Sequence, residues 1–307
     1  PAACTTRVIV PAARSKSAMV RGMRSPPSRR RTITNWPGCA ARATSGADTS
    51  HRNVVSEKAW RAEGSRMFIE PKTPVTVAEL IRGMIVQSGN DACVALAEAI
   101  AGTEAAFVDS MNREAARLGL TATHFMNATG MPDPQHYSTA RDLARLTQAL
   151  IRDFPDYYPI YSTKEFRYNK ITQPNRNRLL WLDPTVDGVK TGHTESAGYC
   201  LIASAKRGPR RLISVVLGAD SDAARAQESL KLLNHGFLDF DAYKLYDKGQ
   251  AVSRIKVFKG AENTVGAGFG REFLVSLPKG VAPDRIKVRL AGRQPLIAPV
   301  SRGAAVA

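Results

Sequence analysis

Between residues 76 and 152, apolar side chains recur every three or four positions, which is the spacing of helices that bury one face. Thr76 and Glu79 form the Thr-x-x-Glu pair typical of a capping box, so the first helix is predicted to begin there. Its apolar face consists of Val77, Leu80, Ile81, Met84 and Ile85. This pattern predicts a helix that packs against a core.

Three more helices are predicted before residue 153. The second covers residues 92–101, with Asn90 or Asp91 at its N-terminal cap. The third begins at Thr103, and its apolar stripe is formed by Phe107, Met111, Ala115 and Leu118. The fourth follows a turn-rich stretch and is predicted over about 138–152.

Strands are predicted in the second half of the chain. Residues 186–190 are predicted to form one strand. Residues 198–205 and 212–218 are predicted to form two more, joined by the hairpin signal Lys206-Arg207-Gly208-Pro209. A helix is predicted over 220–239.

Short alternating apolar segments replace this pattern after Gly249. They are residues 255–258, 273–277 and 286–290. Because a period of two indicates strands, a separate small all-β domain is predicted over 250–307. The domain before it is assigned to residues 53–247.

The net charge of +17 is concentrated near the start of the chain. Residues 1–52 contain ten Lys or Arg side chains and one acid, Asp48, which leaves nine of the seventeen charges there. The segment is rich in Arg, Ser, Pro, Ala and Thr and lacks helical or strand periodicity, so it is expected to be disordered. It could be a nucleic-acid or membrane-surface arm, a natural flexible tail, or an out-of-frame translation of a GC-rich gene.

The sequence shows neither the run of about 18 apolar residues that a membrane span needs nor the pattern of a signal peptide. Its four cysteines have no metal-binding spacing. Cys93 and Cys200 each lie in an apolar run and are expected to be buried thiols. Cysteine usage therefore does not indicate a redox compartment.

The motif Ser88-Gly89-Asn90 lies where two predicted helices meet. A serine hydroxyl there can relay a proton, and an asparagine carboxamide can hydrogen-bond a peptide carbonyl. The ordinary alternative is an N-terminal helix cap, because Ser and Asn are favoured at that position.

A second motif, Lys190-Thr191-Gly192, ends a predicted strand. The ammonium and the hydroxyl would attract a carboxylate, and Gly192 would let a bound backbone pair along the strand. Such a triplet also occurs by accident. Taken together and in this order, however, the two motifs match the second and third motifs of serine penicillin-recognising enzymes.

Longer stretches extend this match. They are Met67-Phe68-Ile69, Gln87-Ser88-Gly89-Asn90-Asp91-Ala92, Asn127-Ala128-Thr129-Gly130-Met131-Pro132, His136-Tyr137-Ser138-Thr139-Ala140, Asn175-Arg176-Asn177 and Asp187-Gly188-Val189-Lys190-Thr191-Gly192-His193-Thr194. From about Val54 to about Pro299 the chain resembles the serine-type D-alanyl-D-alanine carboxypeptidases (peptidase S11), which are low-molecular-weight penicillin-binding proteins. The resemblance implies an α/β (α+β) fold. A penicillin-recognising, β-lactamase-like domain with an antiparallel sheet and a helical cluster would precede the small β domain.

The resemblance also implies roles for the motif residues. Ser88 would be the relay hydroxyl and Asn90 the substrate-orienting amide. Lys190 and Thr191 would anchor the terminal carboxylate, and the backbone N–H of His193 would form half of the oxyanion hole. The His193 side chain has no assigned role. No metal or organic cofactor is implied.

The nucleophile motif of the family, Ser-x-x-Lys, is expected upstream of residues 55–60, and residues 1–52 contain none. The two copies elsewhere, Ser253 to Lys256 and Ser276 to Lys279, lie in predicted β segments and are attributed to chance. An out-of-frame N-terminal segment explains both this gap and the foreign composition. The chain as written is therefore expected to show no turnover and no stable penicillin adduct. It is also expected to expose a sheet edge and to aggregate.

The family implies peptidoglycan pentapeptide stems as substrate and β-lactams as inhibitors, with no nucleic acid as a partner. It also implies the periplasm or the outer face of the cytoplasmic membrane. The membrane-anchoring helix usual in the family is not seen, so the chain looks cut short at both ends.

Three alternatives remain open. The chain could be a class A β-lactamase, although those enzymes have Ser-Asp-Asn at the position of Ser88-Gly89-Asn90 and lack the β domain. It could be a non-catalytic peptidoglycan- or β-lactam-binding protein. It could also bind nucleic acid through its basic segment.

Overall fold

The computed structural model describes residues 6–11, 50, 52–286, 288 and 295–303 of the chain. The described residues divide into two compact units. The main division falls between Asn234 and His235, and Pro11 is grouped with the second unit. The predicted domain limits, 53–247 and 250–307, stay predictions.

A four-stranded sheet, two small two-stranded sheets and a cluster of helices build the first unit. The strands of these three sheets are β1 (Thr6–Pro11), β2 (Arg52–Val54), β3 (Pro74–Thr76), β4 (Glu165–Tyr168), β5 (Ile171–Pro174), β6 (Val186–Thr194), β7 (Gly198–Arg207) and β8 (Arg210–Ala219). Its helices are α1 (Glu57–Trp60), α2 (Val77–Arg82), α3 (Asn90–Ala101), α4 (Glu104–Arg117), α5 (Ala140–Asp153), α6 (Leu179–Leu182) and α7 (Asp222–Leu238), which extends past the division. A π-helical turn (Gly83–Gln87) follows α2, and a 3-10 helix (Tyr158–Ser162) precedes β4.

The main sheet has the strand order β1-β8-β7-β6. Both β6 with β7 and β7 with β8 pair antiparallel, as the hairpin signal predicts. Strand β6 ends the sheet and carries the Lys-Thr-Gly motif, with Lys190 opposite Ile202 and Thr191 opposite Leu201. The second motif therefore lies on a strand with one unpaired edge within the described sheet.

Strand β1 corrects the prediction for the first 52 residues. Thr6–Pro11 lies beside β8, so the expected exposed edge on that side of the sheet is covered. The signal for a strand was present, because Val8-Ile9-Val10 is a run of β-branched residues that favours extended backbone. Residues 1–5, 12–49 and 51 lie outside the described residues, and the disorder predicted for them stays a prediction.

The capping box predicted at Thr76 is confirmed. The Thr76 hydroxyl accepts from the Glu79 N–H at 3.2 Å, and the Glu79 carboxylate accepts from the Thr76 N–H at 2.9 Å. All five predicted apolar positions of this helix and its continuation are buried. The structure differs at residue 83, where the helix widens into the π-helical turn.

The next helices begin close to the predicted positions. Helix α3 begins at Asn90 with Gly89 at the cap position, whereas Asn90 or Asp91 was predicted there. Thr103 caps α4 and Thr139 caps α5 through side-chain hydrogen bonds. The largest fully buried side chains of the unit include Tyr161, Phe107, Phe125, Met67, Leu143 and Leu201.

The second unit contains five short strands within the described residues, and two of them cover the predicted segments 255–258 and 273–277. The five strands are β9 (Phe240–Tyr246), β10 (Ala251–Phe258), β11 (Thr264–Gly268), β12 (Phe273–Pro278) and β13 (Leu296–Ile297). Strand β10 pairs antiparallel with β11 and parallel with β13, and β12 pairs antiparallel with β9. The strand predicted over 286–290 lies largely outside the described residues.

The predicted burial of two cysteines is confirmed, since Cys93 and Cys200 are 1% and 6% exposed. In the part of the chain that the structure describes, no helix has both the length and the apolarity needed to cross a bilayer.

Candidate functional site

The two motifs meet at Ser88 and Lys190. The Lys190 ammonium Nζ donates a hydrogen bond to Ser88 Oγ and another, of 2.9 Å, to the Thr191 carbonyl. Ser88 ends the π-helical turn with a φ of 64°, a left-handed conformation, and Lys190 lies on strand β6. Both side chains are buried, so the turn and the strand are joined by a polar contact shielded from water.

Burial lowers the pKa of Lys190 to about 7, because a charged ammonium loses its hydration there. The positive charges of Arg176 and Arg225 act in the same direction. Burial also raises the pKa of Cys93 to about 12, so the thiol stays protonated near neutral pH. Lys190 can therefore either give or take a proton near pH 7.

Asn90, the third residue of the first motif, is tied to a different segment. Its backbone N–H donates to the Ser65 carbonyl at 2.7 Å, and its Nδ2 donates to the Glu63 carbonyl at 2.6 Å. Asn90 is only 7% exposed. The Glu63 carbonyl thus orients the carboxamide, and the Ser65 carbonyl holds the backbone.

The neighbouring Asp91 was not predicted to have a role beyond a helix cap. Its carboxylate is fully buried and accepts backbone N–H groups from Met67, Phe68 and Ile69. It also accepts the N–H of Ala92 at 2.9 Å. A carboxylate in the first turn of α3 therefore holds a separate stretch of chain beside the motif.

The remaining predicted site residues follow one another along β6. Thr191 is buried, and the Gly192 carbonyl accepts a 3.1 Å hydrogen bond from Arg225. The exposed ring of His193 lies 4.0 Å from the ring of Tyr199 on β7, measured between centroids. The structure therefore brings Ser88 and Lys190 into contact, with Thr191 and Gly192 adjoining Lys190 on the same strand.

Arg225 is a site residue that the sequence did not indicate. This buried side chain on α7 donates to the carbonyls of Gly192 and Cys200, pairs with Asp222, and lies over the ring of Tyr199. It braces β6 against β7 where the motif ends. No local pattern marks it, because a single arginine on a helix resembles any surface cation.

A second polar cluster lies near the start of β6. The Tyr158 hydroxyl donates to Asp187 at 3.0 Å, and Arg211 donates to Asp187 at 2.6 Å and to Ser204 at 2.8 Å. The Asn177 carboxamide donates to the Gly188 carbonyl at 3.1 Å. These contacts fix the strand before it reaches Lys190.

Neither Ser-x-x-Lys copy has helical geometry. Ser253 and Lys256 lie on β10, and Ser276 lies on β12, which ends one residue before Lys279. Residues three apart on a strand point to opposite faces, so a serine and lysine at this spacing do not meet there. Within the described ranges, no three His, Cys, Asp or Glu side chains are grouped closely enough to hold a metal ion.

Two families of known proteins match the chain. The family described as Peptidase S11, D-alanyl-D-alanine carboxypeptidase, matches residues 38–221, which begins earlier than the resemblance predicted from about Val54. The C-terminal domain of penicillin-binding protein 5 matches residues 240–307.

Curated relatives carry the same description. D-alanyl-D-alanine carboxypeptidase DacC of Escherichia coli (strain K12) is 46% identical over 261 residues, which is 82% of this chain and 65% of that protein. DacA of Haemophilus influenzae is 44% identical over 257 residues, which is 81% of this chain and 65% of that protein. The chain thus spans about 65% of the length of these relatives.

A solved structure of penicillin-binding protein 5 from Haemophilus influenzae superposes with a TM-score of 0.84 and 38% identity, covering 98% of this chain and 90% of that one. A D-alanyl-D-alanine carboxypeptidase DacD from Francisella tularensis gives a TM-score of 0.78 at 29% identity, covering 98% and 86%. These similarities confirm the predicted α/β architecture with antiparallel sheets and a helical cluster. From its motifs, its fold and its relatives, this chain belongs to the peptidase S11 family of D-alanyl-D-alanine carboxypeptidases.

Proposed function

We propose that the site formed by Ser88 and Lys190 recognises the D-alanyl-D-alanine end of peptidoglycan pentapeptide stems, the substrate class of serine-type carboxypeptidases. One observation carries the proposal: two motifs 102 positions apart join through the hydrogen bond between Lys190 Nζ and Ser88 Oγ. Family membership supplies the substrate class. The periplasmic face of the cytoplasmic membrane, where such stems occur, is the proposed location.

In this proposal Lys190 and Thr191 bind the terminal carboxylate of the stem. The ammonium supplies a charge-assisted hydrogen bond, which is stronger than one between neutral groups. Carboxylate binding favours the protonated form of Lys190 and offsets the burial that lowers its pKa. Strand β6 ends the described sheet, so an extended stem can add to its edge.

The other motif residues would act on the scissile peptide. Asn90 orients it through its carboxamide, and the backbone N–H of His193 stabilises the developing oxyanion. Ser88 passes a proton between Lys190 and the leaving amine, because its hydroxyl can donate and accept at once. Each of these steps assumes an acyl-accepting serine supplied by a Ser-x-x-Lys helix.

Residues 1–52 contain no such motif, so we propose that the 307-residue chain binds stems without turning them over. Labelled penicillin followed by denaturing electrophoresis tests this directly. No labelled band at 33.3 kDa is expected, whereas a band there would contradict the proposed inactivity. Translation of the genomic DNA in the other frames tests the origin of the residues before the family match, which begins at residue 38. A Ser-x-x-Lys before the codons for Val54 is expected.

Binding without catalysis needs its own measurement. Titration calorimetry with a D-alanyl-D-alanine peptide is expected to give saturable binding that a β-lactam antagonist reduces. A chain that binds neither ligand would contradict the proposal. Salt-sensitive DNA binding that disappears when residues 1–52 are removed would instead favour the nucleic-acid alternative.

A further inference from the structure

Residues 63–69 form a segment that contacts the Ser88-Gly89-Asn90 motif at several points. Its carbonyls at Glu63 and Ser65 accept both N–H groups that Asn90 donates. A third contact comes from β5, where the Gln173 carboxamide donates to the Arg66 carbonyl at 3.1 Å. The position of Asn90 therefore depends on how this segment is held.

Asp91 holds the segment from the side of the motif. Its Oδ1 accepts the Met67 N–H at 2.9 Å, and its Oδ2 accepts those of Phe68 and Ile69 at 2.9 and 3.3 Å. Asp91 is 0% exposed, so water does not compete for these bonds. Successive N–H groups that converge on one anion form a nest, which a carboxylate stabilises strongly.

The backbone at Phe68 needs this support. Its φ is 66°, a left-handed conformation that is unfavourable for a bulky residue. Phe68 is 44% exposed, whereas Met67 and Ile69 on either side are 0% and 2% exposed, so burial of its ring does not explain the conformation. The carboxylate of Asp91 supplies the compensating interaction.

The fit between segment and motif is close. A Cβ on Gly64 would lie 2.8 Å from Asn90 Nδ2, so the segment approaches the carboxamide more closely than any side chain there allows. Gly64 also has a φ of +86°. A small shift of the segment would therefore alter the hydrogen bond between Asn90 and Glu63.

We propose that Asp91 is a positioning residue of the site: by binding the N–H groups of residues 67–69 it fixes the segment whose carbonyls orient Asn90. The inference rests on the proposed function only for the substrate-orienting role of Asn90. The contacts between Asp91, residues 67–69 and Asn90 do not depend on it. Asp91 itself touches no reacting atom.

The test compares Asp91→Asn with a matched control, Asp142→Asn. In the unmodified chain the backbone N–H groups of residues 67–69 meet carboxylate oxygens. Asparagine at position 91 replaces one of these oxygens with an NH2 group, so N–H donors face each other on that side. Asp142 is also buried, at 2% exposure, and accepts from the Ala122 N–H and the Thr123 hydroxyl, both at 2.9 Å. Each variant removes one buried carboxylate that binds a loop, but only Asp91 binds the segment at Asn90.

Two readouts are taken on the 307-residue chain. Selective 15N-asparagine labelling reports the side-chain amide of Asn90, assigned by its loss in Asn90→Ala. Calorimetry reports affinity for a D-alanyl-D-alanine peptide. Asp91→Asn is expected to shift the Asn90 amide signal, speed its exchange with solvent and weaken peptide binding about tenfold. Asp142→Asn is expected to leave both readouts unchanged while lowering the melting temperature.

Each outcome decides the proposal. A folded Asp91→Asn chain with an unchanged Asn90 amide would overturn it, as would an equal shift in Asp142→Asn. If Asp91→Asn does not fold, Gly64→Ala is the second variant. Gly64 is exposed, and its added Cβ would crowd the Asn90 carboxamide directly, so this variant must shift the Asn90 amide signal. If the unmodified chain binds no peptide, the proposed function fails, while the amide signal still tests the role of Asp91.

Discussion

Lys190 donates a hydrogen bond to Ser88 across a chain separation of 102 residues. Ser88 belongs to a turn between helices, and Lys190 belongs to the strand that ends the main sheet. The contact is buried, and burial sets the pKa of Lys190 near 7. In the proposed function, protonation of this amine controls how the site binds a negatively charged ligand.

Peptide affinity should fall as the pH rises through about 7. In the proposed function a stem carboxylate binds the protonated form of Lys190, and that form is lost above its pKa of about 7. Calorimetry of a D-alanyl-D-alanine peptide at pH 6 and pH 8.5 measures this change, with an expected loss of about thirtyfold if only the protonated amine binds. A peptide that ends in an amide in place of the carboxylate should bind weakly at both pH values. Equal affinity of the acid at both pH values would show that Lys190 does not bind the carboxylate.

The helices and the hairpin were predictable because their signals are local. Thr76 and Glu79 make both bonds of the predicted capping box, and the turn between β7 and β8 forms where Gly208 and Pro209 indicate it. The sequence placed the Ser88 and Lys190 motifs in one site, but the hydrogen bond between these two residues was not predicted. That placement needed a family resemblance, since no local rule brings residues so far apart together.

Other features depend on tertiary contacts and had no local signal. The left-handed backbone at Phe68 is stabilised by Asp91, 23 positions away. Arg225 on α7 contacts the Gly192 carbonyl on β6, 33 positions away along the chain. Strand β1 did have a signal, in Val8-Ile9-Val10, but the basic composition around it masked the pattern.

His136 should make the folded state sensitive to acid. Its imidazole is 3% exposed, and burial lowers its pKa from 6.5 to about 4, with Asp133 acting in the opposite direction. Between these values the unfolded chain binds the proton and the folded chain does not, so stability falls as the pH drops from about 6.5 to about 4. The loss should reach up to about 3 kcal/mol.

Urea unfolding at several pH values measures this contribution. His136→Asn keeps an acceptor near the Met126 N–H, which binds His136 Nδ1 at 3.4 Å, and removes the titration. The variant should be less stable at pH 7, and its stability should change less than that of the unmodified chain between pH 6.5 and 4. Parallel pH profiles for the two proteins would assign the acid sensitivity to other groups.

Gly83 should not tolerate a side chain. A Cβ built there would lie 2.2 Å from the Met67 sulfur and 2.9 Å from its Cβ, and both residues are buried. Gly83→Ala should therefore destabilise the fold by about 1–3 kcal/mol, the range for overpacking a core. Gly270→Ala is the control, because no heavy atom lies within 4 Å of its added Cβ. Denaturant unfolding that gave both variants the same midpoint would contradict the predicted clash.

The capping box at α2 should behave as one unit. Thr76→Ala removes the acceptor for the Glu79 N–H and should cost about 1 kcal/mol. Glu79→Ala removes the acceptor for the Thr76 N–H and hydroxyl, at 2.9 and 2.7 Å. Because the side chains also bind each other, the double variant should lose less stability than the two single losses combined. Urea unfolding of the four proteins gives the coupling free energy, and a value of zero would mean that the two caps act independently.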